Sequence, residues 1–148
     1  MTAYSVIPAS ATPPGLVYHL ARLNSARLAE SFAEHGMADL LPRHALQLFP
    51  LLLTGGLRAS DLANRLGVSR QATAQVIGTL ERAGYLTRID DPGDGRAKLV
   101  CLTPRGRTAA RVLHNSMQAL QRDWERILGP QRMAELRDTL STLSKELG

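Results

Sequence analysis

The side chains best suited to chemistry in this sequence lie in a glycine- and proline-rich stretch between two apolar segments. The stretch reads IDDPGDGRAKLV, residues 89–100. Its Pro-Gly and Asp-Gly steps favour a narrow turn. The long side chain of Arg96 can reach the floor of a DNA minor groove, and Asp94 is placed to accept hydrogen bonds from that guanidinium and hold it straight. The alternative is a solvent-exposed turn whose Asp–Arg pair is worth little.

A second group of candidate residues shares one face of a helix predicted within VSRQATAQVIGTLERAG, residues 68–84. Helical periodicity places Thr73, Ile77 and Leu80 towards a core. A Gln amide can pair with adenine, and an Ala methyl can contact the thymine methyl. The predicted base-facing residues on the opposite face are Arg70, Gln71, Ala74 and Gln75. The alternative is that this polar face is only solvated.

Charge is concentrated around these two groups. Of 18 basic residues, 16 are arginine, and residues 56–107 hold nine basic against five acidic residues, so they carry +4 of the net charge of +5. A basic balance favours nucleic acid as partner ahead of an anionic membrane. The predicted phosphate contacts are Ser69, Arg88, Lys98 and Arg105.

Several other functions are disfavoured by the composition. The single cysteine, Cys101, excludes an intrachain disulfide and a cysteine-based metal site, and we expect it to be a packing residue. The four histidines lack metal-ligand spacing, and no hydrolase, P-loop or dinucleotide motif is present. We therefore expect no metal, no cofactor and no enzyme activity. The longest apolar run, residues 48–53, is far shorter than a membrane span, and no signal peptide is apparent, so we expect a cytoplasmic protein.

The elements that must position these residues are mostly helical. With 148 residues of which 44% are hydrophobic, one domain is expected. Proline and cap signals predict helices over about 15–35, 42–53, 59–67, 69–83, 104–128 and 130–147, and strands over about 85–90 and 97–103. Within this scheme Ser69 and Thr103 are predicted N-caps, Gly84 a left-handed helix end, and Pro50 a residue that bends or shortens the second helix.

A short helix, a tight turn, a second helix and a hairpin predict a mainly α fold with a small β-hairpin wing. In this scheme a winged helix–turn–helix lobe adjoins a helical dimerisation layer. The predicted parts are an N-terminal arm (1–14), the helices of a dimerisation and ligand-pocket layer (15–54), the DNA-binding lobe (55–103) and C-terminal dimerisation helices (104–148).

The segment GYLTRIDDPGDGRAKLVCLTPRG, residues 84–106, resembles the wing of the MarR family of bacterial transcriptional regulators. In that family an Asp-x-Arg is followed by a small residue and Lys, then by a strand ending in Leu-Thr and a helix. The matching residues are Asp94, Arg96, Ala97, Lys98, Val100, Leu102, Thr103 and Gly106. Two departures are Gly95, where the family often has Arg, and Pro50, which is unusual in the second helix.

The resemblance implies a homodimer whose two lobes bind double-stranded DNA at a pseudo-palindrome. It also implies a small, often aromatic or anionic, effector bound near the dimerisation helices. The candidate ligand contacts are Tyr18, His19, Arg22 and His44, each of which is alternatively a surface or interface residue. The predicted function is thus a homodimeric MarR-type repressor that is released by a ligand. The alternative is a winged-helix protein-interaction module without sequence-specific DNA binding.

Overall fold

The computed structural model describes residues 11–148, which form six helices and one two-stranded antiparallel sheet. In chain order the elements are α1 (Pro13–Glu34), α2 (Pro42–Leu52), α3 (Ala59–Leu66), α4 (Arg70–Arg82), β1 (Leu86–Asp91), β2 (Asp94–Leu102), α5 (Pro104–Leu128) and α6 (Pro130–Leu147). The chain divides into two compact units, one ending at Leu113 and the other spanning His114–Gly148. The mainly α fold with a β-hairpin is confirmed.

The first helix begins earlier than the sequence predicted. The predicted arm covers residues 1–14, of which residues 1–10 lie outside the described part of the chain. Pro13 and Pro14 already belong to α1, since proline is well suited to the first helical turn. The hydroxyl of Thr12 caps the helix by accepting a hydrogen bond from the Gly15 amide at 3.3 Å.

The second helix contains a proline and ends soon after it. Pro50 lies inside α2, which continues only to Leu52. Because proline donates no backbone hydrogen bond and crowds the preceding turn, an early end is the expected result. Ala45, Leu48 and Phe49 are nonetheless buried, so the helix keeps its core-facing side.

Helices α3 and α4 form the helix–turn–helix, and both of its boundaries follow local signals. Gly67 ends α3 with a φ of 65°, and Ser69 caps α4 by accepting from the Ala72 amide at 3.0 Å. After α4, Gly84 has a φ of 85°, a left-handed conformation that glycine adopts without strain. The predicted caps of the helix–turn–helix are therefore confirmed.

The hairpin has a tighter turn than the sequence predicted. Strand β2 begins at Asp94 rather than near residue 97, and Pro92 and Gly93 alone connect it to β1. Arg96 therefore lies on β2 and not at the tip of the turn. The register runs from Leu86 opposite Leu102 to Asp90 opposite Lys98, and it shifts between Asp90 and Asp91.

One continuous core joins the elements of the first unit. Phe32 of α1, Phe49 of α2 and Leu62 of α3 are fully buried. The ring centroids of Phe49 and Tyr85 lie 6.5 Å apart, and Val100 of β2 completes the same cluster. This core fixes the hairpin and α4 to the rest of the lobe.

The second unit comprises the end of α5 and all of α6. No residue of α6 is buried. Ile127 is 78% exposed and Leu147 is 85% exposed. Large apolar side chains are thus left accessible on the helices that the sequence assigned to dimerisation.

Candidate nucleic-acid interface

The burial of one side of α4 determines which residues its other side presents. Thr73, Ile77 and Leu80 are buried against the core. The Thr73 hydroxyl also donates to the Ser69 carbonyl at 2.9 Å, which leaves its polar group satisfied. The four predicted base-facing residues are all exposed, namely Arg70, Gln71, Ala74 and Gln75. The helix therefore offers a solvent-accessible polar face of the kind that a major groove accepts.

Arg96 is exposed on β2, and its surroundings differ from the sequence prediction. The carboxylate of Asp94 accepts a hydrogen bond from the backbone N–H of Arg96 at 3.1 Å, instead of bonds from its guanidinium. Among residues 11–148 the Arg96 guanidinium has neither a hydrogen bond nor an ion pair. The prediction that Asp94 holds the guanidinium directly was therefore wrong in its geometry. Asp94 acts on the main chain of the turn.

Two of the predicted phosphate contacts lie in surface ion pairs. Arg88 Nε is 2.9 Å from Glu81 Oε1, and Lys98 Nζ pairs with Asp90 across the hairpin. Exposed pairs of this kind are weak, so a phosphate can compete for either cation. Ser69 is exposed, although its hydroxyl already serves as the helix cap.

Arg105 has a structural role that the sequence did not indicate. Its guanidinium donates to the Ala83 carbonyl at 2.9 Å and to Asp39 Oδ1 at 3.2 Å. The guanidinium carbon also lies 4.5 Å from the centroid of the Tyr85 ring. These bonds tie the start of α5 to the end of α4 and to the loop before α2. A phosphate contact by Arg105 stays a prediction.

The hydroxyl of Tyr85 is the centre of the same network. It donates to Asp39 Oδ1 at 2.6 Å and accepts from Arg105 Nη2 at 3.0 Å. Burial, followed by the hydrogen bond to Asp39 and the charge of that carboxylate, raises the pKa of Tyr85 to about 12, although Arg105 opposes the shift.

Arg58 is a further residue that sequence reasoning missed. It precedes α3, and its Nε and Nη2 bond to Asp91 Oδ2 at 3.1 and 2.8 Å. The hydrogen bond from Arg58 is the largest cause that lowers the pKa of the Asp91 carboxyl, followed by a bond from the Gly93 amide. The sequence signal for Arg58 is its place in the basic segment. Its partner Asp91 lies 33 residues away, so no local motif links the two residues.

The four candidate ligand contacts lie on the first two helices. Tyr18 is 68% exposed, Arg22 is also exposed, and His19 is half-buried on the same helix, α1. His44 is half-buried on α2, where burial and, to a lesser degree, Arg43 lower its pKa, so a neutral imidazole is favoured. A cavity of about 90 Å³ lies between α2, α3 and α4, and none of these four residues lines it. Their role in ligand binding stays a prediction.

The described part of the chain offers no metal site and no membrane-spanning helix. No group of three His, Cys, Asp or Glu side chains among residues 11–148 is placed to hold a metal ion. None of the helices in that range is long and apolar enough to cross a membrane.

Taken with the sheet and helix order, this geometry defines a winged helix–turn–helix fold, and known proteins share it. The chain aligns with the PcaV transcriptional regulator from Streptomyces coelicolor, solved with its natural ligand, at a TM-score of 0.69 and 21% identity, covering 97% of this chain and 99% of that one. It aligns with MepR of S. aureus in its DNA complex at a TM-score of 0.74 and 17% identity, covering 91% and 98%. At these identities the two structures establish the fold.

Sequence similarity links part of the chain to known transcriptional regulators. Residues 38–97 match the profile of the MarR family. The transcriptional activatory protein BadR of Rhodopseudomonas palustris is 33% identical over 95 residues, which are 64% of this chain and 53% of BadR. The chain spans little more than half the length of the curated relatives that it matches first. These matches support the similarity to MarR family regulators that the wing motif indicated.

Proposed function

We propose that the protein is a homodimeric transcriptional regulator that binds double-stranded DNA through α4 and the β1–β2 wing. The observation that carries this proposal is the exposed guanidinium of Arg96, which has no hydrogen bond or ion pair within residues 11–148 and lies on the same lobe as the exposed face of α4. An arginine without a protein partner in the described chain loses no ion pair when it enters a minor groove, where narrow grooves attract it. Gln71 and Gln75 supply amides suited to adenine in the major groove.

In this proposal residues 55–103 form the DNA-binding lobe, and residues 104–148 supply dimerisation helices. Dimerisation is supported by α6, which has no buried residue in the single chain. A lone helix with exposed Leu143 and Leu147 gains apolar burial when a second copy covers it. Two lobes related by a two-fold axis read half-sites about one helical turn apart.

The proposal includes control by a small effector. The aligned PcaV structure contains a natural ligand, which supports effector binding in proteins of this fold. We infer that the effector is small and aromatic or anionic. In this proposal the protein is a repressor, and binding of the effector releases it from DNA. The imidazole of His44 and the guanidinium of Arg22 are the proposed polar contacts.

DNA binding is tested by fluorescence anisotropy. A duplex selected from a random library, and the region upstream of the protein's own gene, serve as probes across a salt series. Arg96→Ala is expected to weaken specific binding about 5- to 150-fold, the range for a single arginine that reads DNA. Lys98→Ala is expected to reduce the salt slope by about 1, since it removes one phosphate contact.

Arg137→Ala is the matched control, because it removes the same charge from an exposed position on α6. The control should leave specific affinity within about twofold if binding depends on the wing and α4. The proposal would be contradicted by binding that has a shallow salt slope and no sequence preference, and that Arg96→Ala and Arg137→Ala weaken equally. That result favours the alternative of a protein-interaction module.

A further inference from the structure

The backbone of Arg58 is anchored on the outer edge of the wing. Its neighbour Leu57 pairs with Val100 of β2 through two backbone hydrogen bonds of 3.1 and 2.8 Å. Arg58 then begins α3 as its N-cap residue. The side chain therefore starts from a point that is fixed both to the sheet and to the helix–turn–helix.

From this anchor the guanidinium reaches both ends of the wing turn. Nε and Nη2 bond to the same oxygen of Asp91, at 3.1 and 2.8 Å. Nη2 also lies 3.9 Å from Asp94 Oδ2. Asp91 closes β1 and Asp94 opens β2, so a single cation lies against the carboxylates on either side of the turn.

The second oxygen of each carboxylate binds the main chain of the wing. Asp91 Oδ1 accepts from the Gly93 amide at 2.9 Å, and Asp94 Oδ1 accepts from the Arg96 amide at 3.1 Å. The strand register shifts between Asp90 and Asp91, so the regular backbone pairing is interrupted there. At this point the side chains of Asp91 and Asp94 bond to the main chain. The path from Arg58 to the backbone of Arg96 thus consists of two contacts through Asp94.

We propose that Arg58 is a positioning residue for DNA recognition: it fixes the wing turn through Asp91 and Asp94 and so sets the direction of Arg96. It also neutralises two carboxylates that would otherwise repel phosphates beside Arg96. An ordinary exposed ion pair contributes little. This one differs because two guanidinium nitrogens share one carboxylate oxygen, and because the Asp91 side chain is only 17% exposed.

The DNA half of this inference rests on the proposed function, whereas the ordering of the wing does not. Hydrogen exchange in the free protein tests the ordering. In Arg58→Gln the amides of Gly93 and Arg96 should exchange about tenfold faster, because their carboxylate acceptors lose their anchor. Amides in the middle of α4 should be unchanged. Arg65→Gln is the matched control, since it removes an arginine from α3 that has no ion pair among residues 11–148.

A double-mutant cycle tests the DNA half. Arg58→Gln should weaken specific binding about tenfold in the wild-type background and less than about twofold with Arg96→Ala, because both changes remove the same wing contact. The salt slope should not change with Arg58→Gln in the Arg96→Ala background, whereas loss of a direct phosphate contact would lower it by about 1. Arg58→Lys, which keeps the charge but not the two-nitrogen contact, should recover part of the affinity.

Two results overturn the inference. One is unchanged exchange at Gly93 and Arg96 in Arg58→Gln. The other is an equal loss of affinity in both backgrounds together with a lower salt slope, which assigns Arg58 to phosphate binding. If the wild-type protein shows no specific DNA binding, the proposed function fails. The exchange experiment then still decides whether Arg58 orders the wing.

Discussion

Replacement of Gly106 by alanine is expected to destabilise the protein, although alanine is the better helix former. Gly106 lies in the first turn of α5, against the backbone of Tyr85. A Cβ at this position would lie 2.1 Å from the Tyr85 carbonyl oxygen and 3.2 Å from Leu102 Cδ2. Carbon–oxygen contacts normally keep about 3.3–3.6 Å, so α5 must retreat by roughly 1 Å.

That retreat disturbs bonds that begin the helix. The same Tyr85 carbonyl accepts from the Thr103 amide at 3.1 Å, and the Thr103 hydroxyl both bonds to the Gly84 carbonyl and caps Gly106. Overpacking costs about 1–3 kcal/mol and occasionally more. Alanine returns about 1 kcal/mol of helix propensity. Because a 2.1 Å approach places the overpacking cost at the upper end of that range, about 3 kcal/mol, we expect a net loss of about 2 kcal/mol in the free energy of unfolding. The lost bonds can raise it further.

The assay is equilibrium unfolding in urea, at fixed protomer concentration because association changes apparent stability. Gly78→Ala is the matched control. Gly78 also lies in a helix, but its Cβ would meet only the end of the flexible Arg82 side chain, at 3.3 Å. The control should therefore gain about 0.5–1 kcal/mol. A Gly106→Ala protein that is as stable as the wild type, or that gains stability as the control does, would refute the close approach of α5 to Tyr85.

Three other predictions concern a cap and two titrations. Ser69→Ala should lower the free energy of unfolding by about 1 kcal/mol through loss of the bond to the Ala72 amide, and Ser69→Asp should restore most of it in the same urea assay. Ultraviolet absorbance should show a tyrosine that titrates at about pH 12 and that disappears in Tyr85→Phe. Because the folded pKa of Tyr85 is raised, its contribution is complete below about pH 10 and is lost as pH rises towards 12. The midpoint of the His44 titration, followed by NMR, should lie below 6.5. Because the folded pKa of His44 is lowered, the free energy of unfolding declines as the pH drops below 6.5. A midpoint above 6.5 would contradict the burial argument.

The helix boundaries were predictable because their causes are local. Ser69 bonds to an amide three residues ahead, and Thr103 caps Gly106 at the same spacing. Gly84 ends α4 through its own left-handed backbone conformation, which depends on no distant residue. Such signals depend on a few neighbouring residues, so a sequence window contains everything that determines them. The exposed side of α4 followed in the same way from helical periodicity.

The partners of the arginines were not predictable, because they are set by tertiary structure. Arg105 was interpreted as a phosphate contact, yet its carboxylate partner Asp39 lies 66 residues earlier in the chain. Arg58 drew no specific interpretation, and Asp94 was assigned to the wrong group of Arg96. Each of these residues lies in the basic segment that the sequence singled out, but the sequence did not indicate the group that the residue contacts. The contact depends on which distant backbone segments the core brings together.

The observed pairing nevertheless sharpens the charge argument for DNA binding. Arg58, Arg88 and Lys98 engage four of the five carboxylates within residues 56–107, namely Asp91, Asp94, Glu81 and Asp90. Arg105 is paired with Asp39 from outside that segment. The arginines of α3, α4 and β2 that have no ion pair in the described chain are Arg65, Arg70, Arg82 and Arg96. Each one that meets a phosphate adds about −0.9 to the slope of log K against log salt. The salt dependence should therefore come chiefly from these four arginines. Removal of Arg105 should lower the free energy of unfolding, because it breaks the bonds to Ala83 and Asp39.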